Sequence, residues 1–283
     1  MATYKVLYNP LSNNGKAEAE VKSLSNKMEN NELIFTDITK IDDIKAVIND
    51  LKEDEKLIIS GGDGTLNHFL NDIDGMDIKN EVFFYSTGSG NDFLRSVGIE
   101  KGNLVSLNQF FGKLPTVIIN GKEQKFIDGI GFGIDGYCCE VGDDMRENAS
   151  NNKPINYTSI AIKGLLFHFK PVNAKVTVDG KTESFSRVWL APTMFGRFYG
   201  GGMIPTPDQR REDGTVSTLV YHNCGKIKAL MVFPNIFKGE HVKETKIVKI
   251  FKGHEVTVEF DRPTALQIDG ETVRNVTSYT VKI

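Results

Sequence analysis

The sequence predicts two domains: a doubly wound α/β domain over residues 1–116, then a mainly antiparallel β domain over residues 117–283. Three observations carry this reading. Strand-like and helix-like stretches alternate up to about residue 115, the order that builds a parallel sheet covered on both faces. Beyond that point, short strand patterns succeed one another with few helices. Among them stand Asn120-Gly121, Asp179-Gly180 and Asp269-Gly270, dipeptides that reverse a two-residue hairpin.

In the first half, Tyr4–Tyr8, Glu32–Phe35, Lys56–Ile59 and Val82–Tyr85 read as strands. Ala17–Glu29, Ile41–Leu51, Leu66–Ile73 and Asp92–Val97 space their apolar residues three to four apart and read as helices. In the second half the strands are Val117–Ile119, Gln124–Asp128, Ala174–Val178, Glu183–Ala191, Thr215–Tyr221, Glu255–Phe260, Ala265–Ile268 and Ser278–Ile283, with a helical insertion near Asn156–Phe169. Within that insertion, Lys163–Lys170 is apolar with basic ends. A helix packed on a sheet is preferred there to an interfacial segment lying on a bilayer.

Composition removes several classes of function. A net charge of −3 and a pI near 6.0 do not indicate a nucleic-acid partner. Three cysteines, two of them adjacent at Cys138 and Cys139, form neither a disulfide framework nor a zinc pattern, which fits a reducing cytoplasm. Met1 leads straight into a strand pattern, with no signal-peptide character. No apolar run approaches the roughly 20 residues of a transmembrane helix. Contact with a membrane is therefore expected to be peripheral, and a homodimer is left open.

The most informative segment is Leu57-Ile58-Ile59-Ser60-Gly61-Gly62-Asp63-Gly64-Thr65-Leu66-Asn67. An apolar strand runs into three glycines and an acid, and a helix pattern follows at once. Such a turn presents backbone N–H groups at a helix N-terminus, where an anion is favoured. Gly61, Gly62 and Gly64 let the backbone approach a phosphate. Asp63 beside a phosphate implies a cation or a reacting hydroxyl, and so phosphoryl transfer. A second strand-to-helix loop, Ser86-Thr87-Gly88-Ser89-Gly90-Asn91-Asp92-Phe93-Leu94-Arg95, repeats the design. Thr87, Ser89 and Asn91 supply short polar groups there, and Arg95 sits one turn into the helix. A third turn, Asn9-Pro10 to Lys16, lacks P-loop spacing. In an open parallel sheet these turns gather at the carboxyl ends of the strands, where ligands bind.

These motifs resemble the diacylglycerol kinase catalytic-domain family, the bacterial lipid kinases related to sphingosine and ceramide kinases and more distantly to NAD kinases. The resemblance rests on Asn9-Pro10, Gly61–Thr65, Gly88–Arg95, Gly129–Asp135, Gly200–Pro205, Asp213-Gly214 and Asp269-Gly270-Glu271, in that order. It implies an NAD-kinase-like first domain and a β-sandwich-like second domain whose C-terminal tail can return to the first. It implies ATP and Mg²⁺ as cofactors and a lipid substrate met at the membrane surface. Asn9, Lys16, Gly61, Gly62, Asp63, Gly64, Thr65, Asn67, Thr87, Gly88, Gly90, Asn91 and Arg95 would then bind the nucleotide. Glu271 would be the general base, with Asp63 as second acid or as a holder of the catalytic Mg²⁺. Asp213, with the carbonyls of Arg210 and Thr215, would hold a structural Mg²⁺.

The sequence departs from that family at three places. Ile118 stands where an aspartate is common, Asp128 where asparagine is usual, and Thr193–Arg197 lack the asparagine that often precedes the triple glycine. Two rival readings stay open: a kinase for NAD or another soluble hydroxyl, and a nucleotide-binding protein without turnover. The motif Gly88–Arg95 favours the lipid kinases over the first rival.

Overall fold

The computed structural model describes residues 1–148 and 155–283. Contacts divide the chain into two units, Met1–Leu114 and Pro115–Ile283.

In the first unit the strands are β1 (Thr3–Tyr8), β2 (Glu32–Asp37), β3 (Glu55–Gly61), β4 (Val82–Ser86) and β5 (Leu104–Ser106). Their order in the sheet is β2-β1-β3-β4-β5, parallel except for β5, which runs antiparallel along β4. Strand β3 lies inside the sheet, and Leu57, Ile58 and Ile59 are fully buried. That is the continuous apolar run expected of a strand covered on both faces. Val6, Ile58 and Tyr85 pack with Val21 and Leu24.

The helices of this unit follow local signals. The helix expected over Ala17–Glu29 is broken into α2 (Ala17–Lys22) and α3 (Leu24–Lys27), after a short α1 (Ser12–Gly15). At the break the Ser23 hydroxyl donates to the Glu20 carbonyl at 2.6 Å, a back-bond that competes with the helix ladder. Helix α4 (Ile44–Asn49) begins where Asp43 accepts the Ala46 N–H at 3.1 Å. Helix α5 (Asp63–Asp72) begins just after β3, helix α6 (Asp92–Val97) follows β4 across the loop 87–91, and α6 closes on Gly98 at φ 70°.

The second unit forms a ten-stranded sheet. Its strands are β6 (Thr116–Ile119), β7 (Lys122–Lys125), β8 (Gly129–Phe132), β9 (Val172–Val178), β10 (Lys181–Val188), β11 (Thr193–Met194), β12 (Val216–Tyr221), β13 (Val248–Gly253), β14 (Glu255–Ile268) and β15 (Glu271–Lys282). Every pairing among them is antiparallel. The three expected reversals are present, with both turn residues left-handed: Asn120 and Gly121 at φ 51° and 77°, Asp179 and Gly180 at 47° and 80°, Asp269 and Gly270 at 45° and 94°. The two strands expected at Glu255–Phe260 and Ala265–Ile268 are one strand with a register break between Glu259 and Thr264, where Pro263 falls. Its first part pairs with β9 and its last part with β8, so one strand with an irregular middle pairs with two different neighbours. The C-terminal strand pairs with β14 and β6, inside the second unit.

Three helices complete this unit: α7 (Ile134–Asn148), α8 (Tyr157–Lys163), continued by one π-helical turn over Gly164–His168, and α9 (Lys226–Val232), followed by a 3-10 segment, Phe233–Lys238. Sequence periodicity pointed only to the second of them. They bury Ile160, Leu165, Phe169, Ala229, Val232 and Ile236 against Trp189, Leu219 and Tyr221 of the sheet.

Candidate active site

The glycine turns that follow β3 and β4 lie side by side. Gly61 O accepts the N–H groups of Thr87 and Gly88 at 2.9 and 3.1 Å. A Cβ on Gly88 would stand 2.6 Å from the Cα of Gly62, and one on Gly61 would fall 2.4 Å from the Cβ of Thr65. None of Gly61, Gly62, Gly64, Gly88 and Gly90 has a positive φ. Close approach of one backbone to another, rather than a left-handed turn, is what Gly61 and Gly88 supply.

The polar residues of the two turns hold each other. Asn9 Nδ2 donates to Thr65 Oγ1 at 3.0 Å, which ties the loop after β1 to the first turn of α5. Asn91 is left-handed at φ 56°, and its side chain accepts from the Ser86 hydroxyl. Asp63 Oδ2 accepts the Asp92 N–H at 3.1 Å, so the acid of the first turn caps the helix of the second. Burial pushes its carboxyl above the ordinary value, while the N–H groups of Asp92, Phe93 and Asn91 and the charge of Arg95 pull the other way. Arg95 pairs with Asp92 at 3.1 Å. Asn67 is buried on α5 and accepts from the Asn71 amide. Lys16 is exposed at the junction of α1 and α2.

Three buried oxygens in these turns have no partner among the described residues: Ser60 Oγ, Asp63 Oδ1 and Thr87 Oγ1. Buried polar atoms are ordinarily satisfied. Their concentration at the carboxyl ends of the two central strands fits a polar ligand held there, and Asp63 Oδ1 fits a cation.

In the second unit Glu271 opens β15, is exposed, and lies opposite Ile268 in register. The carboxylate of Asp269, two residues before it, accepts three N–H groups, from Ile127, Asp128 and Gly129, at 2.6, 2.9 and 2.8 Å. Asp128 forms a buried ion pair with Arg211, whose guanidinium also donates to the Ile127 carbonyl. Asp135 is buried, accepts from the Tyr199 hydroxyl at 3.2 Å, and has its carboxyl pushed up to about 7 by burial.

Arg210, Asp213 and Thr215 do not assemble a cation site. The amide nitrogen of Gln209 donates to the carbonyls of Arg210 and Thr215, at 3.0 and 2.8 Å, and to that of Phe195 at 3.3 Å. The Asp213 carboxylate pairs with Lys252. The carbonyls expected around Mg²⁺ therefore face an N–H donor, and the carboxylate faces an ammonium. The residues present do not fit the ion.

Comparison with known proteins bears on the whole chain. Residues 3–122 match the family described as the diacylglycerol kinase catalytic domain, and residues 129–281 match the YegS C-terminal NAD kinase beta sandwich-like domain. The chain belongs to the diacylglycerol kinase catalytic-domain family. Within it, a Bacillus subtilis (strain 168) protein named "Putative lipid kinase YtlR" is 25% identical over 77% of this chain and 74% of its own length. A Mycobacterium tuberculosis protein named "Diacylglycerol kinase" is 26% identical over 68% of this chain and 63% of its own length. The fold is that of a solved structure titled "Crystal structure of a putative diacylglycerol kinase from Bacillus anthracis str. Sterne". It has a TM-score of 0.65 at 17% identity and covers 99% of this chain and 92% of that one.

The sequence did not reveal Gln209, Lys252, the Arg211–Asp128 pair or the triple cap by Asp269. The partners in these contacts are mostly far apart along the chain, and local spacing carries no sign of them.

Proposed function

We propose that the protein is an ATP- and Mg²⁺-dependent lipid kinase that transfers a γ-phosphoryl group to the hydroxyl of diacylglycerol or a similar lipid, in the cytoplasm and at a membrane surface. The nucleotide is assigned to the first domain, residues 1–116, and the lipid to the second, residues 117–283. The observation that carries this reading is the pair of abutting glycine turns at Gly61–Thr65 and Gly88–Asn91, with three buried oxygens left unpartnered between them. The names of the relatives support a lipid acceptor.

Phosphoryl transfer needs little covalent help from a protein and much positioning. In this reading Gly62, Gly64, Thr87, Gly88 and Gly90 line the phosphates with backbone and short side chains, and Asn9, Thr65 and Asn67 hold that surface in shape. Asp63 fixes one turn against the other. Lys16 and Arg95 supply positive charge. Glu271 takes the proton from the acceptor hydroxyl. Mg²⁺ brought with the nucleotide would neutralise charge on the phosphoryl oxygens.

The test is transfer of label from γ-labelled ATP in mixed micelles, with diacylglycerol, monoacylglycerol, sphingosine and undecaprenol offered separately and NAD as the soluble control. Label is expected in one lipid, and Glu271→Gln is expected to lower turnover by about 10²-fold or more with circular dichroism unchanged. Label in NAD alone would replace the lipid acceptor with a soluble one. ATP binding without label in any acceptor would overturn the kinase reading.

A further inference from the structure

The helical face of the second unit carries an unusual surface. Residues 155–171 and 225–239 contain Lys163, Lys170, Lys226, Lys228 and Lys238 and no aspartate or glutamate, in a chain whose net charge is −3. These stretches hold α8 with its π-turn and α9 with its 3-10 extension. Lys226 Nζ donates to the Leu166 carbonyl at 2.9 Å and joins the two. Their inner side chains fill the core around Trp189 and Tyr221. Outward stand Phe167 and Ile227, each 73% exposed, and Met231 at 63%, with Phe237 and Ile162 partly exposed as well. Ile227 and Met231 are four residues apart on α9 and share one side of it.

Large apolar side chains in water on adjoining elements mark an interaction surface. The lysines decide what covers it. Lys228 is neutralised by Glu244 at 2.8 Å, whereas Lys163, Lys170 and Lys238 on the same two stretches are exposed to solvent. Exposed apolar side chains beside lysines on the same helices match a bilayer interface with anionic headgroups, where aromatic and aliphatic tips enter the acyl boundary and lysines stay at headgroup level. We infer that this face docks on an anionic lipid bilayer. The inference deepens the lipid-kinase reading and rests on it for a reason to visit a membrane.

Cosedimentation of the full chain with vesicles tests it, using phosphatidylcholine alone and phosphatidylcholine mixed with phosphatidylglycerol. Binding to the anionic vesicles is expected, weaker binding to the neutral ones, and release as salt is raised. The double variant Phe167→Ser/Ile227→Ser and the variant Lys163→Glu/Lys170→Glu are expected to lose about tenfold or more in partitioning, with the melting temperature kept. Wild type that ignores anionic vesicles, or variants that bind as wild type does, would overturn the inference. So would a concentration-dependent dimer that both variants abolish in the absence of lipid. Turnover in detergent micelles separates the two readings: docking without turnover on any lipid leaves this surface standing and the kinase reading fallen, and turnover without docking does the reverse.

A different set of residues points to a brace that takes the place of a metal ion. Gln209 is 1% exposed; its amide nitrogen meets three carbonyls, and its oxygen accepts from the Ser217 hydroxyl at 2.6 Å. One neutral side chain thus satisfies converging oxygens that would otherwise need a cation. With Asp213 held by Lys252 and Arg211 by Asp128, side chains pin residues 207–217 at several points. The structure assigns Gln209 as a built-in substitute for a structural divalent ion. Thermal melting without nucleotide tests this: the wild type is expected to melt at one temperature in EDTA and in excess Mg²⁺ or Ca²⁺. Gln209→Ala is expected to melt lower, with part of the loss restored by either cation. A wild type destabilised by EDTA, or stabilised by cation as much as Gln209→Ala, would overturn it.

Discussion

Two loops of this chain carry sequences that invite a ligand, and they answer the invitation in opposite ways. The turns after β3 and β4 bring glycine backbones together and leave Ser60 Oγ, Asp63 Oδ1 and Thr87 Oγ1 without a partner among the described residues. The loop at residues 207–215 also converges oxygens, but Gln209 saturates the carbonyls and Lys252 and Arg211 take the neighbouring charge. Thr215 Oγ1 stays unpartnered there, yet the Thr215 carbonyl, the atom a cation would need, does not. Motif residues alone do not make a ligand site. What decides is whether the protein's own donors have already used the acceptors.

That contrast is open to attack by substitution. The largest effect is expected at the self-saturated loop. Arg211→Met strands Asp128 in the interior, since both side chains are under 10% exposed. Urea denaturation should show a loss of about 3–5 kcal/mol, and a loss below that range would mean the pair is no brace. Asp135 provides the next test, as a buried acid neutralised by a proton instead of an arginine. Its carboxyl stands near 7 in the fold against an ordinary 3.8. The folded state therefore binds the proton more tightly, and the stability this gives is complete below the ordinary value and lost as pH rises to about 7. Between those limits stability should fall by up to about 1.4 kcal/mol per pH unit, and Asp135→Asn should flatten the slope.

The glycine turns give the smaller effects and the sharper contrast. Gly88→Ala places a methyl group 2.6 Å from the Gly62 backbone and should cost about 1–3 kcal/mol. Gly62→Ala meets Gly88 at 3.6 Å, an ordinary contact. It should change stability by less than about 1 kcal/mol while weakening ATP binding in calorimetry. Equal effects of the two on both readouts would erase the distinction between a glycine needed for backbone packing as well as for the ligand and one needed for the ligand alone.

Much of this was legible in the sequence, for local reasons. The three hairpins were visible because Asn-Gly and Asp-Gly are the residues that accept two successive left-handed conformations. The parallel sheet was visible because strand-like and helix-like stretches alternate up to about residue 115. Helix α7 was not visible, and the cause is packing. Its inner face includes Gly136, where a Cβ would stand 2.1 Å from the Ala265 carbonyl, and Gly142, where one would stand 2.8 Å from the Tyr157 ring. A helix that rides so close to its neighbours must replace apolar bulk with glycine, and the periodic signal disappears with it. Gln209 escaped for a related reason. A polar residue in Pro207-Asp208-Gln209-Arg210-Arg211 reads as solvated loop, and only the tertiary fold turns it inward. At the glycine turns the sequence singled out the residues, and only geometry shows what two of them do locally: Asp63 caps a helix and Asn91 is a left-handed residue held by Ser86.

The tip of the β14–β15 hairpin is clamped, since Asp269 bonds three successive N–H groups of the segment that leads into β8. A reversal at the end of two strands would ordinarily swing. Here that motion is frozen out when the chain folds. The backbone that carries Glu271 is therefore ordered by folding itself, and the conformational entropy of that turn is lost there and not later.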